Sequence, residues 1–181
     1  MLKASLLPLR DDQVALRAMH PKDASAYAAG TDDPAVREYA HLPEPKYTED
    51  SVLALIEGPL REGLASGDLA VLTIADLATD DFVGSLVLFG PTGNSIEVGF
   101  WIHPDHRGRH LSTAALALTH DFARRSGFTS TTARTAIENT ASQRALERSG
   151  YLRGGTARET TPSGSNAMLL HYFRPLDPPS P

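Results

Sequence analysis

The sequence predicts a single mixed α/β domain, α+β-like in its ordering, with one central twisted sheet and helices on both of its faces. Three observations carry this. Helix-period segments come first, a run of strand-like segments joined by short polar turns follows, and the chain closes on helix, strand, helix and hairpin. The 181 residues are 41% hydrophobic, enough to bury a core. No internal repeat and no linker-like stretch divides them, so residues 1–181 are read as one domain.

The elements follow in order. Val14–Ala18 reads as a short strand, and Pro21–Ala29 as a helix with proline near its first turn. Asp32-Asp-Pro34 opens a second short helix that runs to about Tyr39. His41–Tyr47, with two prolines, reads as a loop. Thr48 caps a helix whose apolar face is Val52, Leu55, Ile56, Leu60 and Leu64, ended by Gly67. Leu69–Leu77 and Phe82–Phe89 are strands, Gly90–Ser95 is a turn, and Ile96–Ile102 is the central strand. From Leu111 a helix carries Leu111, Ala115, Leu118 and Phe122 on one face, and Gly127 stops it. A strand near Ser130–Ile137 precedes a short helix. Thr140 and Gln143 there have capping-box spacing, and Gly150 suits a left-handed position after the last turn. A hairpin of Tyr151–Thr160 and Asn166–Phe173 closes the core around Pro162–Ser165. The structured core is expected over about residues 14–173, with Pro175–Pro181 as a frayed tail.

Composition narrows the function classes. The absence of cysteine excludes disulfides, thiolate metal ligands and a thioester-forming nucleophile. No stretch is apolar enough to span a bilayer, and the N-terminus lacks a basic-then-apolar leader pattern. These features suit a cytoplasmic protein without a membrane partner. The net charge of −5 argues against nucleic acid as the main partner and is compatible with cationic substrates.

The stretch richest in chemistry is Glu97-Val-Gly-Phe-Trp-Ile-His-Pro-Asp-His-Arg-Gly-Arg-His-Leu-Ser112. It reads as a strand, a basic glycine-containing turn and a helix start. Such a turn aims backbone N–H groups and the positive end of the helix dipole at one point, which suits a phosphate or pyrophosphate. Arg107 and Arg109 add formal charge there. The Walker pattern and the Gly-x-Gly-x-x-Gly dinucleotide turn are both absent.

The turn resembles the acyl-CoA loop of the GCN5-related N-acetyltransferase (GNAT) superfamily, Gln/Arg-x-x-Gly-x-Gly/Ala. His110 stands where that family usually has glycine, and Ser112 where it has glycine or alanine. The ring of His110 either crowds the approach of a pyrophosphate or points to solvent. The segment Asn139-Thr-Ala-Ser142 with Gly150-Tyr151 is similar to the family's Asn-x-x-Ser/Ala…Gly-Phe/Tyr stretch. Ser142, Leu146, the Phe-Trp pair after Glu97-Val-Gly and the opening Leu16-Arg17 resemble the branch of ribosomal-protein N-terminal acetyltransferases, the Rim type.

The resemblance implies a mostly antiparallel sheet, splayed at the cofactor site, and acetyl transfer from acetyl-CoA to an amine without a metal. The acceptor is a protein N-terminus, a polyamine or an aminoglycoside-like amine, and the family is compatible with a homodimer. The pantetheine arm then lies between the strands at Ile96–Ile102 and Ser130–Ile137, and a bulge in the first aims an N–H at the thioester oxygen. Val98, Gly99, Phe100, Ile102 and His103 form that wall. Arg107, Gly108, Arg109, His110, Leu111 and Ser112 form the phosphate loop, and Asn139 and Ser142 complete the cofactor site.

Reaction requires a proton for the departing thiolate and a base for the amine. Ser142 is the candidate acid, because Leu146 occupies the position where many relatives have tyrosine. Glu97 is the candidate base, with Glu138 and Glu159 as alternatives. Each has a plainer reading: Ser142 as a helix-start residue, Glu97 as a solvated strand end, Gly99 as a packing accommodation. Asn139 bonds the cofactor, caps the helix, or does both. His106 and His110 flank a turn with no third ligand nearby, so no metal site is expected. Arg124, Arg125 and Arg134 read as solvated charges, and Arg144 is a candidate for the 3′-phosphate. Asp32, Asp33, His41, Tyr47 and the loop from residue 162 to 166 fall in the acceptor region, with capping as the plainer role of the aspartates. A different class stays open: a CoA-binding sensor or interaction protein on the same fold, without turnover.

Overall fold

The computed structural model describes residues 1–161 and 163–176. Eight strands form one sheet: β1 (Leu9–Arg10), β2 (Val14–Ala18), β3 (Ala70–Asp76), β4 (Phe82–Thr92), β5 (Ser95–Ile102), β6 (Ser130–Ala136), β7 (Leu152–Thr160) and β8 (Asn166–Pro175). Their spatial order is β1-β2-β3-β4-β5-β6-β8-β7. Every neighbouring pair is antiparallel except β5 and β6. The helices are α1 (Ala24–Thr31), α2 (Pro34–Tyr39), α3 (Glu49–Leu55), α4 (Arg61–Ser66), α5 (Leu111–Arg125) and α6 (Thr140–Arg148). No described helix is long and apolar enough to cross a membrane.

Each face of the sheet is covered differently. On one, Leu111, Ala115, Leu116 and Phe122 of α5 pack on Leu72, Leu86, Ile96, Val98 and Ala133. On the other, Tyr27, Val36 and Val52 of α1, α2 and α3 meet Phe82 and Trp101. There Tyr27 stands edge-on to Trp101, Tyr47 and Phe82, with ring centroids 5.2, 5.5 and 5.9 Å apart, the favoured aromatic geometry. Side chains alternate along a strand, so β5 sends Ile96 and Val98 to the α5 face and Trp101 to the other.

The feature that positions the site is the parting of β5 from β6. They pair only at Ser95–Ser130, Ile96–Thr131 and Glu97–Thr132. Beyond Glu97, β5 stays in register with β4 and β6 with β8, so the two inner edges separate. The splay expected from the resemblance is therefore present. The expected bulge in β5 is not: its register against β4 is continuous from Glu97 to Ile102, and the shift lies between Phe89 and Thr92. That shift lets both strands extend to a turn at Gly93-Asn94, tighter than the one expected over Gly90–Ser95.

Other boundaries move for local reasons. The core begins before Val14, because Leu2 and Leu9 are buried and the Leu2 N–H donates to the Gly67 carbonyl at 2.9 Å. The first helix opens as a 3-10 turn at Pro21–Asp23. The helix capped by Thr48 is interrupted, since Pro59 lacks an N–H and the chain makes a π-type turn over Ile56–Leu60 before α4. On α5, Leu118 is half-buried and the buried stripe is wider than expected, taking in Leu116, Thr119, His120 and Ala123. Pro175 belongs to β8 and Leu176 is buried, its N–H bonded to the Thr129 carbonyl at 2.8 Å, so the frayed tail does not begin at residue 175. Residues 177–181 and Pro162 lie outside the described residues.

One buried ion pair ties α1 to the sheet. Arg17 on β2 grips Asp23 through two bonds, of 2.7 and 3.0 Å, and reaches Asp80 in the β3–β4 turn at 2.8 Å. Asp23 also accepts from the His20 N–H at 2.8 Å and Thr73 Oγ1 at 2.9 Å. Burial pushes the Asp23 carboxyl up, but the bonds from Arg17, His20 and Thr73 outweigh it and hold the group below the usual carboxylate range.

Asp23→Ala should therefore cost about 3–5 kcal/mol, because it leaves a buried guanidinium without its main partner. The sign of the pH effect follows from the depressed carboxyl. Its contribution is complete above about pH 4, the unfolded value, and drains away as pH falls through the lower folded value. Urea midpoints measured from pH 6 to pH 2 should fall less steeply for Asp23→Ala than for the parent. A second expectation concerns His110, whose φ of 59° heads α5 in the left-handed region. His110→Gly removes a Cβ penalty of about 1 kcal/mol there, partly offset by backbone entropy. Its thermal midpoint should rise above that of the parent.

Candidate active site

Where β5 and β6 part, a cleft of about 350 Å³ opens. Phe100, Trp101 and Ile102 of β5 form one wall. The loop from His106 to Ser112 forms its end, and Asn139, Ala141, Ser142 and Ala145 at the start of α6 face them. Ala35, Val36, Tyr39 and Ala40 of α2 close the remaining side. The residues singled out in the sequence that meet here are Phe100, Ile102, Arg107, Gly108, Arg109, His110, Leu111, Ser112, Asn139 and Ser142.

The loop presents donors rather than charge. Other helices near the site begin under a side-chain cap: Asp33 on α2, Thr48 on α3 and Asn139 on α6. At α5 no described side chain caps the first turn, and His110 contributes only its carbonyl, to Thr113 and Ala114. The leading N–H groups of a 15-residue helix thus face the cleft, with the positive end of its dipole. Gly108 turns the loop at a φ of 80°, and a Cβ there would meet open space. The left-handed φ, not crowding, is what calls for glycine.

The two arginines are already paired, which corrects the expectation of free positive charge. Arg107 Nη2 lies 2.6 Å from Asp33, and Arg109 Nη2 lies 3.1 Å from Asp76. Both carboxyls are held below the usual range chiefly by these guanidiniums. The His110 ring turns toward Arg148, Nδ1 to Nη1 3.3 Å, at the rim of the loop. Arg148, rather than Arg144, is the α6 cation brought to the loop.

Ser142 and Asn139 form a reciprocal pair. Asn139 Oδ1 accepts the Ser142 N–H at 3.1 Å and caps α6, while Asn139 Nδ2 donates to Ser142 Oγ at 2.9 Å. This replaces the capping box expected from Thr140 and Gln143; Gln143 instead donates to the Ile137 carbonyl at 2.9 Å. Because Ser142 Oγ accepts from Asn139, its own hydrogen is left to donate into the cleft. Leu146, one turn on, is fully buried.

Four of the singled-out residues lie outside the cleft lining. Val98 turns its side chain into the α5 core, leaving only its backbone to meet a ligand. Gly99 faces the opposite side, where a Cβ would stand 3.1 Å from Val87. His103 accepts the Asp105 N–H at 3.3 Å and abuts Gly30. Glu97 is not a lone carboxylate: its Oε1 accepts from Arg134 Nε at 2.8 Å.

Arg134, read from sequence as a solvated charge, joins Glu97 of β5 to Glu159 of β7, and His171 Nε2 lies 2.8 Å from Glu159. This cluster sits on the Trp101 face, beyond the helices, just where the strands begin to part. His41 stands near it with its pKa lowered, first by burial and then by Arg134. The cluster was missed because its members come from four strands. Arg134 is two residues after Thr132, the partner of Glu97, and so shares its face of the sheet, a register that the sequence alone does not give.

In the region expected to cover the acceptor, Asp33 does cap α2, accepting the Val36 N–H at 3.0 Å, and Asp32 pairs with Arg37. Tyr47 is buried in the aromatic cluster and does not face an opening. The α2 wall, from Ala35 to Ala40, was not singled out from sequence; its only signal is small residues spaced along a short helix. No three described His, Asp or Glu side chains group as metal ligands.

A family model, the acetyltransferase (GNAT) domain, matches residues 13–152. No curated protein matches the chain. Among solved structures, Mycobacterium smegmatis RimJ, in complex with CoA-disulfide, superposes with a TM-score of 0.77 at 22% identity, over 90% of this chain and 81% of that one. The Vibrio fischeri ribosomal-protein-S5-alanine acetyltransferase does so at 0.78 and 15% identity, covering 97% and 100%. Vibrio cholerae spermidine N-acetyltransferase, in complex with CoA and spermine, does so at 0.76 and 17% identity, covering 92% and 97%. These likenesses establish the fold, and Rim-type enzymes are among the neighbours. With the family model spanning most of the sequence, the chain belongs to the GNAT acetyltransferase family.

Proposed function

We propose that the chain transfers acetyl from acetyl-CoA to a primary amine, by direct attack within a ternary complex. The observation that carries this reading is that the start of α5, which no described side chain caps, and the β5 strand beyond its pairing with β6 line one cleft. Acetyl-CoA supplies an activated thioester; the chain's residues supply binding, orientation and proton transfer. The N–H groups from Gly108 to Ser112 hold the pyrophosphate, a role that backbone donors at a helix start fill without added charge, while the Arg107 N–H is already bonded to the Pro104 carbonyl at 3.4 Å. The β5 edge from Val98 to Ile102, which has no described strand partner on its β6 side, bonds the amides of the pantetheine arm as an added strand would.

The acceptor approaches from the Trp101 face. Glu97 and Glu159 share one guanidinium there, so carboxylate charge is in excess and favours a cationic amine. Glu97 takes the amine proton through water by its second oxygen, since Oε1 is bonded to Arg134. Ser142 donates toward the departing sulfur, its orientation set by Asn139. A protein N-terminus and a small polyamine both meet these requirements, and relatives of both kinds share the fold.

Thiol release from acetyl-CoA over a panel of N-terminal peptides, polyamines and aminoglycosides tests the reading. Ser142→Ala and Glu97→Gln should each lower kcat on the order of 10²-fold, and Glu97→Gln should leave cofactor affinity nearly unchanged. Gly108→Pro should abolish CoA binding in calorimetry, because proline cannot adopt the φ of 80° and removes a donor. Tight CoA binding by the parent without turnover on any amine would replace the enzyme reading with a CoA-responsive binding protein.

A further inference from the structure

Each loop guanidinium is neutralised by a carboxylate from a different part of the chain, and the two partners differ in where they sit. Asp76 ends β3, within the sheet frame and outside the cleft. Asp33 heads α2, the helix that forms a wall of the cleft. We propose that Asp33 is a positioning residue that competes with the cofactor's pyrophosphate for Arg107, so that filling the loop unties α2 from it. This inference rests on the reading of the cleft as an acetyl-CoA site.

The geometry is that of a fork. Arg107 Nη2 bonds Asp33 Oδ1 at 2.6 Å, and Nη1 stands 3.4 Å from Oδ2. The Arg107 side chain is 43% exposed, so solvent screens the pair and leaves it a weak competitor. A pyrophosphate offers more negative charge and equally good acceptor geometry to the same guanidinium. Exchange of partners is therefore cheap on the protein side and favourable on the ligand side. It does not unfold α2, because Asp33 Oδ1 also accepts the Val36 N–H at 3.0 Å and that cap survives when Arg107 leaves.

What changes is the tether. Held by Arg107, the N-terminal end of α2 is fixed to the phosphate loop. Val36 anchors the same helix in the aromatic cluster, while Tyr39 and Ala40 line the cleft. Released, the helix keeps its Val36 anchor but loses its link to the loop, and the wall it presents to the acceptor gains freedom once the cofactor is in place. The free loop and the acceptor-side wall thus report on each other through one side chain.

Asp33→Asn isolates this role, since asparagine caps helices about as well as aspartate while carrying no charge. Calorimetry with CoA should give a Kd lowered about two- to fivefold, as expected when a competing pair of this strength is removed. In an Arg107→Gln background the same Asn substitution should leave Kd unchanged, a result that a general structural effect of Asp33 would not produce. Amide exchange of residues 36–40 should quicken on CoA addition in the parent, and should already be fast and unresponsive in Asp33→Asn. An unchanged Kd in Asp33→Asn, or a change that persists without Arg107, overturns the competition while leaving the CoA site intact. A folded parent that binds no CoA overturns both.

Discussion

The parting of β5 from β6 is the constraint on which the rest of the site depends. A parallel pair needs a crossover, here α5, and the crossover leaves from the C-terminal end of β5. Three paired positions suffice to join the halves of the sheet, and beyond Glu97 each strand is held by its outer neighbour alone. Backbone groups along the two inner edges are then left to find partners other than each other. The same divergence places the start of α5 and the start of α6 on opposite sides of one cleft.

Helix starts are used in two distinct ways. On α2, α3 and α6 a side chain takes the leading N–H groups and the helix end is closed. On α5 the preceding residue is turned into the left-handed region and offers no side-chain cap, so the donors stay available. The strain at His110 is thus borne at the point where the chain needs the loop open, a common location for an unfavourable φ. Asn139 shows the complementary use: in capping α6 it also orients the Ser142 hydroxyl, through the bond from its Nδ2.

Charge around the cleft is organised by pairing. The phosphate loop holds its arginines against Asp33 and Asp76, while the Trp101 face holds Glu97 and Glu159 around a single arginine. The formal charge of the loop is thus taken up by carboxylates, and what the start of α5 presents is its backbone dipole. The other side sets two carboxylates around one guanidinium. Neither arrangement is visible in the net charge, which only sums them.

Local periodicity and turn chemistry determined a good deal. Val14–Ala18 appears as a strand with the boundaries read from the sequence, and Gly67 and Gly150 end their helices at φ of 80° and 79°. The phosphate loop and the start of α6 were legible because their residues are adjacent in sequence. Other features depended on registers between distant strands. Arg134 meets Glu97 and Glu159 because β6 lies between β5 and β8, with β7 outside β8, an order that residue spacing does not encode. The unbulged β5 depends on its ladder with β4, and the pairing of Arg107 with Asp33 spans 74 positions. The sequence by itself determined which segments are strands and helices and where the glycine-containing turn leads into α5, since those follow from neighbouring residues. Only the tertiary structure decided which charges are free, which carboxylate has a partner and which helix walls the cleft, because each of those is a contact made across the sheet.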